Sequence, residues 1–394
     1  MRNGAWYIAN LVNFLAMSCH MSATLLPLFW KQSGVEDWQI GWLAASFSTA
    51  AIFTRLGLGY GLQRWGRKPF LIGGAILLNA TAGIYPHLGD HFLSWMALRS
   101  CQGIGLAFYI TAVLTWVADR SPPERIGQLQ GIFGVSGLLG SAAGPYVSEQ
   151  IYREHGFNSM FLAIFVAGLV CSLLTVILPE SEAEPTETEQ PTSSRIDIWS
   201  FRAMILVTLP FGWLTGNVIT FIAPYLESVS LQQVGVYFAG FSVASVCVRV
   251  FAAESIDRLS TNKLVVYSGG ALALGSLCIS TLIFFPTPRL LVFAALLNGV
   301  GHGFLFPGLS TYIVRRTNRA QRGSGLALFT GAFDFGILFG GLASGYISQE
   351  VGYQGAFLVS SCLMLAAIPL FVKMNGGYSR TASSSSMSAR AARS

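Results

Sequence analysis

Several long apolar segments of the chain contain an ionisable side chain near their middle. Asp334 lies about ten residues into one segment, and Arg55, Arg99 and Arg249 lie inside three others. A charge at the centre of a hydrocarbon layer costs at least about 2.5 kcal/mol, so each of these residues is a functional candidate. We expect Asp334 to bind and release a proton, because burial favours the neutral carboxyl group while a neighbouring arginine would favour the carboxylate. The alternative is a permanent ion pair that holds helices together.

Two histidines lie about halfway along their apolar segments. His20 shares a helix face, at the spacing i, i+4, i+7 and i+11, with Asn13, Met17 and Thr24. His302 lies in a later segment. Histidine changes charge near neutral pH, so both rings could bind a solute or titrate. The alternative is a histidine whose hydrogen bonds are satisfied locally.

The sequence Met17-x-Cys19-His20-Met21 contains the soft ligands that bind copper. Neighbouring positions on a helix face different directions, so only Met17 with His20 or Met21 could converge on one ion. The matching positions in the second half of the chain supply no sulfur, and we expect neither a metal nor a cofactor. The six cysteines lie inside apolar segments without CxxC spacing, which argues against a disulfide framework or a zinc site.

The composition indicates what kind of protein positions these residues. The 394 residues are 53% hydrophobic and 11% charged, whereas soluble domains average about a quarter charged residues. This deficit argues against soluble domains and predicts an all-α polytopic membrane protein. A helix needs roughly 20 apolar residues to cross the hydrocarbon core. We predict twelve spans, near 6–29, 38–62, 69–88, 93–117, 127–151, 157–179, 203–226, 233–256, 264–285, 290–314, 323–347 and 354–374.

The basic residues predict the orientation. Of the 24 Lys and Arg residues, 18 fall on one side of the predicted spans, and the positive-inside rule places that side, with both termini, in the cytoplasm. The net charge of +6 is therefore a topology signal, and no nucleic-acid partner is expected. Arg55 and Arg249 fall in the cytoplasmic halves of their spans, where snorkelling or bonding between helices is the favoured interpretation. We expect an integral protein of a bacterial inner (plasma) membrane.

The chain divides into two halves around a polar segment. Residues 180–202 are acidic and rich in Pro, Thr and Ser, which is typical of a flexible cytoplasmic linker. We predict a six-helix bundle at 1–179, a second at 203–375, and a disordered cytoplasmic tail at 376–394, rich in Ser, Ala and Arg.

The two halves are related by an internal repeat. A shift of 196 residues places Gln102 on Asn298 and Gly140 on Gly336. Similar shifts match Gly144 with Gly340, Arg55 with Arg249, and His20 with Asn217. Two related six-helix halves place a substrate site at their interface near the middle of the membrane.

Three motifs occur in order along the first five spans. The loop after span two reads Gly59-x-x-x-Gln63-Arg64-x-Gly66-Arg67-Lys68, span four contains Arg99-x-x-Gln102-Gly103-x-Gly105, and span five contains Gly131, Gly140 and Gly144-Pro145. With twelve spans and a central linker, these motifs resemble the major facilitator superfamily over nearly the whole chain. The first is similar to that family's cytoplasmic loop signature, and the third to a span-five motif found mainly in exporters. Glycines allow close helix contact and Pro145 bends span five, so packing is favoured over a direct gating role.

The chain departs from the family pattern at three places. Gln63 replaces an acidic residue of the loop signature, and the C-terminal copy keeps Asp257 and Arg258 without the glycines. Ser148 and Glu149 replace the glycine pair that usually ends the span-five motif. The basic residues of the loop are interpreted first as topology anchors and second as control of a cytoplasmic gate.

The resemblance also implies a solute site, because spans one, four, seven and ten line the central cavity in this family. Arg99 matches a family position linked to proton transfer or substrate binding; the alternative is a bond to backbone carbonyls. We expect His20 and His302 to join Asp334 and Arg99 in proton coupling. The predicted solute-binding residues are Asn13, Met17, His20, Thr24, Gln102, Tyr109, Trp213, Asn217, Thr220, Asn298 and His302. We expect four of them to face one central cavity: His20, Asn217, Asn298 and His302.

The favoured function is proton-coupled secondary transport by alternating access, with export of a small amphipathic or drug-like solute. The rival is proton-coupled import of a small organic anion, such as an organic acid or a siderophore, because three buried arginines outnumber one buried aspartate. The sequence lacks the GxxxxGK[ST] motif of ATP-driven transporters and the HExxH and GxSxG motifs of enzymes. A receptor would typically carry a further soluble domain. We expect a monomer whose partners are the solute, protons and the lipid bilayer.

Overall fold

The computed structural model describes residues 3–89, 91–121, 126–180, 197–251, 259–317 and 321–391, and these residues form helices and turns without a strand. The first half contains α1 (Asn3–Ser22), α2 (Leu26–Gln32), α3 (Asp37–Trp65), α4 (Lys68–Ala80), α5 (Phe92–Asp119) and α6 (Ile126–Ile177). The second half contains α7 (Arg202–Ser228), α8 (Val234–Phe251), α9 (Thr261–Ser280), α10 (Pro288–Arg316), α11 (Arg322–Val351) and α12 (Tyr353–Ala391). Short 3₁₀ helices lie at Ala23–Leu25, Thr81–Gly83, Tyr85–His87, Ile198–Phe201 and Thr281–Ile283.

The described residues include nine helical stretches that are long and apolar enough to cross a membrane. One is Gly4–Gln32, where α1 and α2 follow each other, and another is Leu129–Ile177 within α6. The sequence predicted twelve spans because it also counted α3 and α4 and divided α6 in two. Helix α4 has only 13 residues, and α6 is a single stretch of 52 residues by its hydrogen bonds.

A glycine interrupts α6 at the point where the sequence predicted a boundary between two spans. Gly156 has φ +77° and ψ 176°, outside the helical region. Only glycine adopts such a backbone conformation without strain. Gly352, which follows Gly156 by the repeat shift, has φ +85° and separates α11 from α12. The same glycine turn therefore occurs in both halves.

Glycines also set matching helix contacts in the two halves. A Cβ atom on Gly140 of α6 would lie 2.3 Å from the carbonyl oxygen of Phe14 in α1. A Cβ atom on Gly336 of α11 would lie 2.4 Å from the carbonyl oxygen of Leu209 in α7. These distances exclude any side chain, so Gly140 of the span-five motif serves close packing, and the repeat places the same contact in the second half.

The linker and the tail are described only in part. Residues 181–196 of the predicted linker lie outside the described residues. Helix α12 continues to Ala391, where the sequence predicted a disordered tail from residue 376.

The halves contact each other along α3 with α11 and along α6 with α8. Both contacts are tight at the end where α3 begins, which we call the outer end after the predicted orientation. A Cβ atom on Gly41 of α3 would lie 3.0 Å from the carbonyl oxygen of Gly341 in α11. A Cβ atom on Gly235 of α8 would lie 2.4 Å from the Cα of Tyr146 in α6. These contacts close the outer end around the middle of the molecule.

Candidate functional site

Two adjoining cavities lie between the halves of the chain. The first, of about 140 Å³, is lined by helices α1, α2, α3, α5, α7 and α11, and we call it the arginine cavity because Arg55 and Arg99 line it. The second, of about 190 Å³, is lined by α1 and α6 to α10, and we call it the aromatic cavity because Tyr237, Phe238 and Phe241 line it. Met21 and Ile219 line both cavities, so the two spaces are neighbours.

Asp334 is paired with an arginine from the other half of the chain. Its carboxylate accepts a hydrogen bond from Nη1 of Arg55, so an ion pair joins α3 to α11 across the arginine cavity. The two side chains are 22% and 33% exposed, respectively. From the sequence, Asp334 was expected either to exchange a proton or to form a permanent ion pair, and Arg55 either to snorkel or to bond another helix. In the structure the two residues form one ion pair.

Arg99 lies in the same cavity without a carboxylate partner. It is 9% exposed, and its Nη1 donates a hydrogen bond of 2.8 Å to Oε1 of Gln102. Its guanidinium lies over Phe47, 4.5 Å from the ring centroid, and 5.9 Å from the ring centroid of Trp30. Among the described residues, the Nε–H of Arg99 has no acceptor.

Gln102 positions this arginine and does not line either cavity. Besides accepting from Arg99, it donates to Oγ1 of Thr81 over 2.9 Å and accepts from the Tyr85 hydroxyl over 3.3 Å. The span-four motif therefore supplies a charged group and the amide that holds it.

Three further predicted residues line the arginine cavity: His20, Thr24 and Thr220. The His20 ring stacks on Phe47, with centroids 5.6 Å apart and planes at 16°. The Thr24 hydroxyl donates to the carbonyl oxygen of Met21 over 2.8 Å. Phe47 thus contacts both the imidazole of His20 and the guanidinium of Arg99.

Asn298 and His302 line the aromatic cavity. Asn298 donates to the Tyr237 hydroxyl over 2.9 Å, and its Oδ1 has no hydrogen-bond partner among the described residues. The His302 ring packs edge-on against Phe241, 5.4 Å between centroids, and its Nδ1 likewise lacks a partner in the described part of the chain. The site predicted as one cavity is thus divided into two.

Five predicted solute-binding residues other than Gln102 were expected along the same path: Asn13, Met17, Tyr109, Trp213 and Asn217. None of them lines either cavity. Asn13 donates to Oγ of Ser136 over 2.9 Å and accepts from Tyr109, whereas Asn217 donates to Oγ of Ser360 over 3.0 Å. A polar side chain inside a membrane seeks a partner, and these two amides find one within their own half.

Two carboxylates close the outer end, and the sequence did not identify either as functional. Glu149 of α6 accepts hydrogen bonds from the backbone amides of Val234 and Gly235, at 3.0 and 2.7 Å, and from Arg153 at 3.1 Å. It therefore caps the first turn of α8 in the other half, where free amides favour an anion. The signal in the sequence was an acid in an apolar span where the family motif has glycine.

Asp37 forms the second bridge between halves at the outer end. Its Oδ1 accepts from Lys31 over 2.9 Å and from the Tyr353 hydroxyl over 2.7 Å. Its backbone amide donates to Oε1 of Gln349 over 3.1 Å.

The loop motif from Gly59 to Lys68 binds an acid that the sequence assigned to the linker. Glu180 accepts from the backbone amides of Arg67 and Lys68, at 3.0 and 3.3 Å, next to Gly66 with φ +80°. Arg67 also donates to Asp119 over 2.9 Å. Arg64 donates to the Tyr60 hydroxyl, and Gly59 faces open space. The Gln63 side chain, Asp257 and Arg258 lie outside the described residues.

Comparison with known proteins identifies the family. The sequence matches the Major Facilitator Superfamily over residues 6–225 and 204–386. The chain belongs to the major facilitator superfamily. Members are integral membrane transporters of small molecules and not enzymes.

The relatives and similar structures are transporters. The chain is 23% identical over 357 residues to Multidrug resistance protein MdtG of Enterobacter lignolyticus, covering 86% of this chain and 84% of that protein. It is 23% identical over 370 residues to Multi-drug resistance efflux pump PmrA of Streptococcus pneumoniae, covering 89% and 90%. The crystal structure of the nucleoside transporter NupG has the same fold, with a TM-score of 0.77 at 15% identity over 95% of this chain and 99% of that chain.

Proposed function

We propose that this chain is a proton-coupled secondary active transporter that exports small amphipathic or drug-like organic solutes by alternating access. The observation that carries the proposal is the ion pair between Arg55 and Asp334. It joins the two halves and also lines the cavity between them. A proton on Asp334 removes the negative charge of the pair, so proton binding and the separation of α3 from α11 are coupled.

The order of contacts along α3 and α11 supports two gates. Asp37 of α3 contacts the end of α11 at the outer end, whereas Arg55 lies 18 positions beyond Asp37 along α3 toward the inner end. At 1.5 Å per residue this separates the outer contact from the ion pair by about 27 Å. The arginine cavity lies between them. Breaking the ion pair opens the inner side, and breaking the contacts of Asp37 and Glu149 opens the outer side.

Proton coupling follows from the charge on Asp334 in each state. With the carboxylate ionised, Arg55 holds the inner side together. With Asp334 protonated, Arg55 is released and the inner side separates, so a proton acquired from outside leaves toward the cytoplasm. His20 shares this cavity and His302 the neighbouring one, and both are proposed to contribute to proton binding, together with Arg99.

We propose that the solute path runs through both cavities and includes the predicted residues that line them, namely His20, Thr24, Thr220, Asn298 and His302. Gln102 positions Arg99 and does not contact the solute. The loop from Gly59 to Lys68 acts at the cytoplasmic side, where Glu180 binds it. The direction of transport is proposed from MdtG and PmrA, which are named for multidrug resistance and efflux.

The proposed topology has twelve spans in two six-helix bundles with both termini in the cytoplasm of the inner membrane. Helices α1 and α2 together form one span, and α6 forms two that meet at Gly156, where the helical conformation is interrupted. Helix α4 with the turns that follow it, as far as His87, forms another. The protein is proposed to act as a monomer.

The test is flux of a fluorescent amphipathic dye into proteoliposomes that contain the purified protein. Under antiport, an inside-acid gradient drives accumulation of the dye, and collapse of the gradient with a protonophore abolishes it. Accumulation under an inside-alkaline gradient would indicate symport, the second candidate. Equal uptake under both gradients and in their absence would contradict proton coupling.

A further inference from the structure

The arginine cavity contains a positive charge that the chain does not neutralise. Its charged lining residues are Arg55, Arg99 and Asp334. Asp334 is engaged by Arg55, and within the described part of the chain no carboxylate lies within ion-pair distance of Arg99. One positive charge therefore remains inside the cavity.

The groups packed around Arg99 are neutral or aromatic. Helix α5 supplies the Gln102 amide, α3 supplies the Phe47 ring, and α2 supplies the Trp30 ring. Arginine is charged at every physiological pH. Arg99 is 9% exposed, and its Nε–H lacks an acceptor among the described residues. Burying this charge without a full set of partners costs solvation free energy. An anion that enters the cavity would recover part of this cost.

The aromatic cavity offers the opposite environment. Tyr237, Phe238 and Phe241 line it, together with aliphatic side chains, and its polar atoms without partners among the described residues belong to Asn298 and His302. The internal repeat explains the contrast, because Leu138 of this cavity occupies the position that matches Asp334. The repeat has thus produced one charged and one apolar cavity.

The size of the two cavities indicates that one solute uses both. Drug-sized ligands occupy pockets of roughly 300–1,000 Å³. The arginine cavity has about 140 Å³ and the aromatic cavity about 190 Å³, so neither suffices alone, and together they reach the lower end of that range. Met21 and Ile219 line both spaces, so a solute that extends past these two side chains fills the two cavities at once.

We infer that the solute is an amphipathic organic anion, whose negative group binds Arg99 in the arginine cavity while its apolar ring system fills the aromatic cavity. This inference rests on the proposed transport function and specifies the class of solute at that site. The guanidinium supplies charge and hydrogen-bond donors to a carboxylate. The aromatic rings supply a surface on which a flat apolar body packs.

The first experiment compares three naphthalene probes that differ in charge: 1-naphthoate, neutral 1-naphthamide and the cation 1-naphthylmethylammonium. Each is titrated against the purified full-length protein, and the rise in melting temperature is measured, because a ligand of the folded state stabilises it. We expect naphthoate to stabilise the protein at a concentration at least about tenfold lower than naphthamide, and the cation to have no effect. Equal or stronger stabilisation by the cation, or equal stabilisation by inorganic phosphate, would overturn the inference.

The second experiment removes the charge at Arg99. Arg99→Met should weaken naphthoate binding by about 30-fold or more and leave naphthamide binding within a few-fold. Arg99→Lys, which retains the charge, should keep the preference for the anion. If Arg99→Met does not fold, the comparison of Arg99→Lys with the wild type and the three-probe ranking still decide the question.

Arg249 provides a matched control. It is also an arginine inside a span, its Nε–H also lacks an acceptor among the described residues, and it lines neither cavity. Arg249→Met should leave the preference for naphthoate unchanged. Loss of the preference in this variant, to the same degree as in Arg99→Met, would mean that general positive potential and not Arg99 selects the anion.

Flux of the same probes separates this inference from the proposed function. Uptake of naphthoate under an inside-alkaline gradient, with dependence on Arg99, would support the anion site and contradict export. Uptake of the cation but not of naphthoate under an inside-acid gradient, above the uptake by protein-free liposomes, would support export and contradict the anion site.

Discussion

The two halves of the chain share their helix contacts and differ in their charges. Gly140 and Gly336 pack against the first helix of their own half at nearly the same distance. The arginines at the matching positions 55 and 249 have different partners. Arg55 forms an ion pair with Asp334, whereas Arg249 faces Gly134. The repeat position that matches Asp334 is Leu138, one helical turn from Gly134. The close glycine contacts thus occur in both halves, whereas the acidic partner of the arginine occurs in one half only, as Asp334.

The contacts at the outer end show a second asymmetry. Glu149 binds two backbone amides and is 3% exposed, whereas Asp37 binds the side chains of Lys31 and Tyr353. Backbone partners are fixed in place and flexible side chains are not. The α6–α8 contact should therefore be the stronger of the two outer contacts.

The largest effect is expected for Asp334→Asn. The variant cannot change charge, so uphill transport under a pH gradient should be lost while solute exchange between the two sides continues. Uphill flux and exchange are measured in the same proteoliposomes. The control is Glu154→Gln, at a side chain that is 70% exposed, and this variant should transport normally. Uphill transport by Asp334→Asn would refute the coupling role of Asp334.

The next effect concerns the two carboxylates at the outer end. Glu149→Ala leaves two backbone amides and Arg153 without an acceptor, and should lower the free energy of unfolding by about 3 kcal/mol. Asp37→Ala should cost less, about 1–2 kcal/mol, because Lys31 is 41% exposed and regains water, so that the Tyr353 hydroxyl is the main group left without its acceptor. Thermal unfolding of the purified variants measures both. An equal loss in the two variants would mean that the outer contacts are equivalent.

The glycine contacts should respond equally in the two halves. Gly140→Ala and Gly336→Ala each place a Cβ atom within 2.4 Å of a backbone oxygen, and each should lower the free energy of unfolding by about 1–3 kcal/mol. Gly131→Ala and Gly331→Ala lie in the same helices with open space around them, so they should not destabilise the protein. A difference between the first two variants would show that the halves pack differently.

The smallest effect distinguishes the repeat mates His20 and Asn217. His20→Ala removes a ring that lines the arginine cavity and should weaken solute binding about fivefold. Asn217→Ala removes a hydrogen bond to Ser360 and should cost about 1 kcal/mol of stability without a change in affinity. Isothermal titration and thermal unfolding separate the two outcomes, and a loss of affinity in Asn217→Ala would place this residue on the solute path.

Composition and residue order were enough to establish the class of protein and the candidates for its chemistry. Low charge content, long apolar segments and the 196-residue shift are all properties of the linear chain. The cost of placing a charge inside a membrane selected Asp334, Arg55 and Arg99 from their positions in apolar segments. Glycine spacing predicted close packing at Gly140, because such contact is possible only where a side chain is absent.

The packing of the helices determined which candidates meet. The ion pair between Arg55 and Asp334 joins residues 279 positions apart. The periodicity of a helix indicates which face is buried but not which other helix packs against that face. Asn13 shares a helix face with His20, and Asn217 matches His20 in the repeat. The rotation of their helices in the bundle nevertheless places both asparagines against partners in their own halves. Glu149 was visible only as a departure from a motif, because its role depends on the free amides of a helix in the other half. Local pattern fixes the face of a helix, and only the packed bundle determines what that face contacts.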